Sequence, residues 1–335
     1  MNDGDVTGDE SDFVETLETG EAVSEQFVVP AEYEGARIDL CLAQLYPHHS
    51  RVYLQRLIRK GAVVVDGAEV RPAATLAPES VIHIAWPQVN AYELHPEPVD
   101  FEILAEDEHV IVLSKPPGLC VHPAAGNRTG TLVHGLLAYD PESFTPMIDA
   151  EMRPGIVHRL DMFTSGAMVV AKTKEALLSL KSAFKERQVE KTYLALVIGE
   201  FGSVTGTIEN QIGRHSWHRT KMAVVQEGGK HALTKYRVLG TGGGCSLLEV
   251  RIFTGRTHQI RVHFSHLNHP ILGDPVYGGS RSDCSVEATR HLLHAWKLVF
   301  PHPDTGIMRQ YMAPPPKDFR DALEALELPR IGEWA

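Results

Sequence analysis

The first 36 residues contain no lysine or arginine, while 11 aspartates and glutamates precede Arg37. An acidic stretch so poor in apolar residues cannot offset its ordering entropy, which predicts a disordered tail over residues 1–26. The net charge of −11 comes from this region: without those 11 acids, 32 acids face 32 bases. The rest of the chain can carry local basic faces, so the overall charge excludes no nucleic-acid partner. Cysteine is scarce: Cys41, Cys120, Cys245 and Cys284 are far apart and form no CxxC pair. A zinc knuckle and a redox dithiol are thereby excluded, and a reducing compartment is expected. No apolar run approaches the roughly 18 residues that span a bilayer, and the N-terminus lacks the basic-then-apolar order of a secretory leader. The expectation is a soluble, cytoplasmic protein. HExxH and Gly-Lys-Ser/Thr motifs are also missing. The 18 histidines therefore do not signal a zinc hydrolase, and Gly240-Thr-Gly-Gly-Gly244 reads as a flexible hairpin turn rather than a phosphate loop.

Residues 27–86 contain a compact pattern. Ile38, Leu40, Leu42 and Leu45 predict a short helix, and Ser50 is a candidate cap for a second helix with Tyr53, Leu54, Leu57 and Ile58 on its apolar side. Arg56, Arg59 and Lys60 share the opposite face, with Arg51 one turn earlier. Two short apolar runs around Asp66-Gly67 predict a type I′ hairpin. The Arg37-Ile-Asp39 opening and the helix-helix-hairpin order resemble an S4-like RNA-binding domain. Arg51, Arg56, Arg59 and Lys60 then become candidate phosphate contacts, since such a face binds backbone without reading sequence. Residues 87–98 read as a Pro-rich linker. Residues 99–325 mix strands and helices without a βαβ rhythm, with strands at Val110–Leu113, Ala167–Ala171 and Glu190–Ile198 and a helix over 174–187. Residues 326–335 are expected to form a C-terminal tail.

Chemistry concentrates in Arg153-Pro-Gly-Ile-Val-His158-Arg159-Leu160-Asp161-Met-Phe-Thr164-Ser165-Gly166, just ahead of an apolar strand. Polar residues crowded at the start of a buried strand are poor for stability and point to function. The stretch resembles the His-Arg-Leu-Asp signature of the RluA-type pseudouridine synthases. Three further blocks share the resemblance: Glu106–Gly118 with its Lys115-Pro116 turn, Glu190-Lys191-Thr192-Tyr193-Leu-Ala195, and Thr254-Gly255-Arg256-Thr257-His258-Gln259-Ile260-Arg261-Val262-His263 followed by Gly273-Asp274-Pro275-Val276-Tyr277-Gly278. Val121-His122-Pro123, Gly213-Arg214-His215 and Leu293-His294-Ala295 place it nearest the D-type large-subunit rRNA synthases, although Met162-Phe163 stands where these usually carry Lys-Asp.

The resemblance implies an α+β fold: a small S4-like domain, then a catalytic domain on a mixed, mainly antiparallel sheet with a central cleft. It implies isomerisation of uridine to pseudouridine in large-subunit (23S) rRNA, with a monomer as the default expectation where sequence is silent on assembly. That reaction breaks the C1′–N1 bond, turns the uracil and joins C1′ to C5. No atoms or electrons enter or leave, so no cofactor or metal is expected. Asp161 becomes the catalytic carboxylate, attacking C1′ or the pyrimidine ring, or stabilising a developing cation. Arg261 becomes its ionic partner, with Arg256 the rival for that role, and Tyr193 the ring against the target base. Among RNA-contacting residues, Arg159 fills the gap left by the extruded uridine and His158 chiefly orients the loop. The helix over 257–267 is expected to bury Ile260, Phe264 and Leu267. The alternatives are a tRNA synthase of the same family and a non-catalytic RNA-binding or ribosome-assembly protein on this scaffold.

Overall fold

Tyr53, Leu54, Leu57 and Ile58 recur at helical spacing, and all four are buried together in the core of a small unit. The computed structural model describes residues 23–47, 49, 51–86, 94–124, 127–148, 152–218, 221–278 and 284–330. Described residues up to 95, with 145–154, form one compact unit; 96–144 and those from 155 onward form another.

The smaller unit runs β1 (Val23–Val28), α1 (Ile38–Leu45), α2 (Arg51–Arg59), β2 (Val63–Val65), β3 (Ala68–Glu69) and β4 (Val81–Trp86). Its four strands lie in the order β1-β4-β2-β3. Asp66 and Gly67 both have positive φ, 51° and 78°, as the type I′ turn between β2 and β3 requires. Asp39 is fully buried and accepts hydrogen bonds from Arg37, Arg51 and Gln55. Burial alone would raise its carboxyl, but these donors hold it down at about 2. The expected cap, Ser50, lies outside the described residues.

The larger unit continues with β5 (Glu102–Glu106), β6 (Val110–Lys115), α3 (Leu132–Tyr139), α4 (Pro141–Phe144), β7 (Ser165–Ala171), α5 (Lys174–Lys185), β8 (Glu190–Ile198), β9 (Thr205–Arg214), β10 (Met222–Val225), β11 (Lys230–Gly242), β12 (Cys245–Ile252), α6 (Gln259–His266), β13 (Leu293–Pro301), β14 (Met308–Met312) and α7 (Lys317–Ala325). The strands form one sheet in the order β10-β9-β11-β12-β8-β13-β7-β6-β5, with β14 beside β13. Every pairing in it is antiparallel except β13 with β7. The mixed, mainly antiparallel sheet of an α+β fold is therefore what the chain forms. Apolar residues of β6, β7 and β13 pack with α5, and those of β8 and β12 pack with α7. Gly243 and Gly244, both at positive φ, make the hairpin turn expected between β11 and β12. No helix among the described residues is long and apolar enough to cross a membrane.

Several expected boundaries move. β1 starts at Val23, inside the segment 1–26 expected to be disordered, because Val23–Val28 pairs along its length with β4. Only residues 94–98 of the expected 87–98 linker are described. There Glu97 accepts from the Gly130 N–H and its own N–H donates to the His134 carbonyl, which ties this end to the larger unit. Leu326 and Leu328 are buried with Phe319 and Leu323, so the expected tail from 326 begins as core. Leu267 is 37% exposed rather than buried, because α6 ends at His266 and the residue beyond it leaves the apolar stripe.

Candidate active site

The loop before β7 is fastened at nearly every step. The carbonyl of Met162 accepts from the Gly118 N–H (2.9 Å) and from the Lys115 ammonium (2.8 Å). Lys115 Nζ also donates to the carbonyls of Pro116 and Leu119, both at 2.8 Å. Burial lowers the Lys115 amine to about 7, although three carbonyl acceptors call for all three ammonium protons. Arg290, itself bidentate with Asp318, donates to the carbonyl of Phe163. Thr164 Oγ1 and His291 Nε2 lie 2.9 Å apart. His158 Nε2 accepts from the Val169 N–H, and its ring stacks on Phe184. Burial lowers this imidazole to about 3, so it is neutral. Gly166, second in the strand, has φ +118°, and a Cβ there would run into the Ala295 carbonyl; the close β7–β13 pairing requires its absence.

This fastening presents Asp161. Its Oδ2 accepts from Arg261 Nη1 at 3.0 Å. Arg261 comes from α6 and is 6% exposed; its Nε and Nη2 donate to Asp274 at 2.7 and 3.0 Å. The Asp274 carboxylate is fully buried and takes two further N–H donors, from Val276 and Tyr277. A guanidinium fork suits this arrangement because it meets one carboxylate with two N–H groups and still reaches a second. Burial would raise Asp161, yet His258 and Arg261 outweigh it and hold the carboxyl well below the usual carboxylate range. Asp161 is thus an ionised carboxylate at neutral pH, partly open to solvent.

Asp161 opens onto a cavity of about 410 Å³ whose wall includes His158, Arg159, Lys191, Tyr193, His258 and Arg261. Tyr193 reaches it through strand alternation: Leu194, Leu196 and Ile198 pack with α7, so Tyr193 takes the other face of β8. Burial, then the Asp161 charge, pushes its phenol above the ordinary tyrosine range, so it stays protonated. Arg159 is exposed at the cavity wall. An ionised carboxylate, a protonated phenol and an exposed guanidinium around one cavity can attack an electrophilic carbon, stack on a base and bind phosphate.

The RNA pseudouridylate synthase family matches residues 109–266, and the S4 domain matches residues 36–82. The chain is 44% identical over 329 residues to the ribosomal large subunit pseudouridine synthase D of Neisseria meningitidis serogroup A, covering 96% of this chain and 86% of that protein. The enzyme of the same name from Pseudomonas aeruginosa is 43% identical over 312 residues, covering 90% and 95%. Among solved structures, human RNA pseudouridylate synthase domain containing 1 superposes with a TM-score of 0.52 at 30% identity, covering 68% of this chain and 95% of that one. The chain belongs to the RluA-type RNA pseudouridine synthases. Within that family it is of the D type, and it carries the S4 module of an RNA-binding enzyme.

In this synthase Asp161, Arg261 and Tyr193 share one cavity. Arg256, the rival partner for Asp161, donates instead to the carbonyl of His231. The departure at Met162-Phe163 leaves the loop's fastening intact, because the scaffold holds both residues through their carbonyls. Asp274 and Lys115 belong to the motifs but had no expected role; only the fold reveals that one orients Arg261 and the other holds the loop. Arg51, Arg56 and Arg59 on α2, and Lys60 just past its end, are all exposed. Arg51 is tied to Asp39, Arg59 donates to Gln55, and Arg56 lies over the Tyr53 ring.

Proposed function

We propose that this synthase isomerises uridines of large-subunit (23S) ribosomal RNA, with Asp161 as the nucleophile and a single chain as the working unit. The observation that carries the reading is the Asp161–Arg261–Asp274 arrangement: a carboxylate kept ionised by a buried arginine while still open to a cavity. Attack at C1′ or at the pyrimidine ring needs that charge, and an isolated carboxylate in a half-buried wall would tend to protonate instead. The uridine must leave its stack to reach Asp161. Arg159, exposed at the cavity wall, is suited to fill the vacated space with a planar guanidinium. Tyr193 lies against the extruded base. Its raised phenol disfavours proton abstraction and favours stacking as its part. His158 holds the loop on β7, and the exposed cations of α2 bind phosphates.

The choice of large-subunit RNA is supported by the names of the related enzymes and by the low cost of extruding a uridine from a stem-loop. Carbodiimide-dependent primer extension across rRNA and tRNA from a gene-deletion strain tests it. Pseudouridines should vanish from large-subunit rRNA, and losses confined to tRNA would overturn the substrate.

A further inference from the structure

We propose that His258, its Nε2–H oriented by Tyr277, is a second anchor of Asp161 Oδ2 and leaves Oδ1 as the oxygen that reacts with the uridine. The inference rests on the reading of Asp161 as the nucleophile and adds which atom reacts and what orients it.

His258 caps α6 in the left-handed region, at φ 54° and ψ 21°. A non-glycine residue there stores strain, which accumulates at functional sites. Its Nδ1 lies 2.9 Å from the Tyr277 hydroxyl. That hydroxyl already accepts the Met222 N–H at 2.9 Å. Burial pushes the Tyr277 phenol up to about 12, so the phenolic proton is retained. The arrangement that uses every group has Tyr277 donating to Nδ1. Were Nδ1 to donate instead, the phenolic proton would have no acceptor among the described residues. In the neutral ring the proton therefore sits on Nε2, and in the imidazolium, whose charge helps hold Asp161 down, Nε2 carries one as well; in both it is the nitrogen 4.0 Å from Asp161 Oδ2.

Arg261 Nη1 reaches the same oxygen at 3.0 Å. Both donors converge on Oδ2, and among the described residues no hydrogen bond reaches Oδ1. An oxygen relieved of donors keeps its lone pairs for attack. Contacts of about 4 Å before substrate binds commonly tighten in the complex. On the C1′ route, the Oδ1–C1′ bond forms as C1′–N1 breaks, and that electron pair leaves on the uracil N1. After the base turns, C5–C1′ forms as Oδ1–C1′ breaks, and the pair returns to the carboxylate. C5 then loses a proton to water and N1 gains one. On the ring route, Oδ1 adds to C6 and the C5–C6 pair moves onto O4; C1′–N1 breaks with its pair on N1, C5 takes C1′, and loss of the C5 proton to water expels Oδ1 as carboxylate while N1 gains a proton. In either covalent state Oδ2 is the ester carbonyl oxygen, still able to accept from Arg261 and His258.

The test uses the full-length enzyme and large-subunit RNA from a gene-deletion strain, labelled with tritium at uridine C5. Single-turnover tritium release and filter-binding affinity are measured for wild type, His258→Asn, His258→Gln, Tyr277→Phe and the His258→Asn/Tyr277→Phe double variant. Asparagine tolerates the left-handed backbone but stops short of Asp161, whereas the glutamine amide reaches as far as Nε2. Phenylalanine keeps the ring beneath Arg261 (5.0 Å) and removes only the hydroxyl. His258→Asn is expected to slow release by about ten- to a hundredfold, the range for a hydrogen bond to a charged group. Affinity should stay within about threefold and thermal unfolding should be unchanged. His258→Gln should recover most of the rate, and Tyr277→Phe should add no further loss once His258 is gone. Equal losses in the asparagine and glutamine variants, additive losses in the double variant, or an unslowed His258→Asn would overturn the proposal. Failure of the wild type to release tritium would instead overturn the assignment of substrate and site.

Discussion

Replacing Asp274 by asparagine probes the buried half of the active-site ion network. Asp274 is fully buried, Arg261 is 6% exposed, and two N–H···O bonds of 2.7 and 3.0 Å join them. Asparagine retains one oxygen, which can still accept the N–H groups of Val276 and Tyr277. Its amide NH₂ then faces the guanidinium, a donor against a donor, and Arg261 keeps only Asp161 as an anion. Removing one partner of a buried pair costs about 3–5 kcal/mol, and the retained acceptor places this change near the lower end, at about 3 kcal/mol. For a unit of this size each kcal/mol shifts the midpoint by about 2–4 °C, so a fall of roughly 6–12 °C is expected. Circular dichroism at pH 7 measures it, with urea titration giving the free energy directly. Because Arg261 also fixes Asp161, single-turnover pseudouridine formation should fall at least tenfold in the folded variant. A midpoint shift below 2 °C with normal turnover would refute the reasoning, since it would mean that Arg261 needs no buried counter-charge.

Three further outcomes can be measured. Asp39 titrates at about 2 in the folded state against an ordinary value of 3.8, so it stabilises the smaller unit fully above about pH 4. That contribution, about 2 kcal/mol, should be lost as the pH falls through 2, and Asp39→Asn should remove this part of the acid dependence; an unchanged acid transition in the variant would contradict this. Lys115→Met takes the ammonium donor from the carbonyls of Pro116, Leu119 and Met162, the last of which keeps the Gly118 N–H, and should destabilise the larger unit by about 1–3 kcal/mol in urea titration, while loosening the Asp161 loop. Replacing Arg56, Arg59 and Lys60 together by alanine should weaken RNA binding and reduce the salt slope by up to about one unit per lost phosphate contact, as filter binding over a salt series would show.

The parts of this enzyme that were legible in its sequence are those governed by local pattern. The Asp66-Gly67 turn, the apolar side of α2 and the bounds of β8 follow from φ preference and from helical or strand periodicity. Asp161, Tyr193 and Arg261 were singled out through motif resemblance, since nothing local distinguishes a candidate nucleophile from a turn aspartate. What stayed hidden depends on contacts between distant residues. Arg261 and Asp274 are 13 positions apart, and Lys115 meets the Met162 carbonyl across 47. Arg51 looked like a free cation of a basic face, because only the folded unit shows Asp39 beneath it. The strand at Val23 was missed because the acidic composition of the preceding residues masked six residues whose pairing partner, β4, lies nearly 60 positions later.

The most direct measurement is single-turnover tritium release from C5-labelled large-subunit RNA by Asp161→Asn beside the wild type. Asparagine preserves shape and leaves Arg261 its anion at Asp274, so the variant should fold. It should also bind RNA within about tenfold of wild type, because affinity comes from phosphate contacts and stacking. An amide cannot replace the carboxylate as nucleophile, so release should fall by several orders of magnitude. Release at a substantial fraction of the wild-type rate by folded variant, verified by mass spectrometry to be free of deamidation, would contradict the assignment of Asp161 as the residue that carries the chemistry.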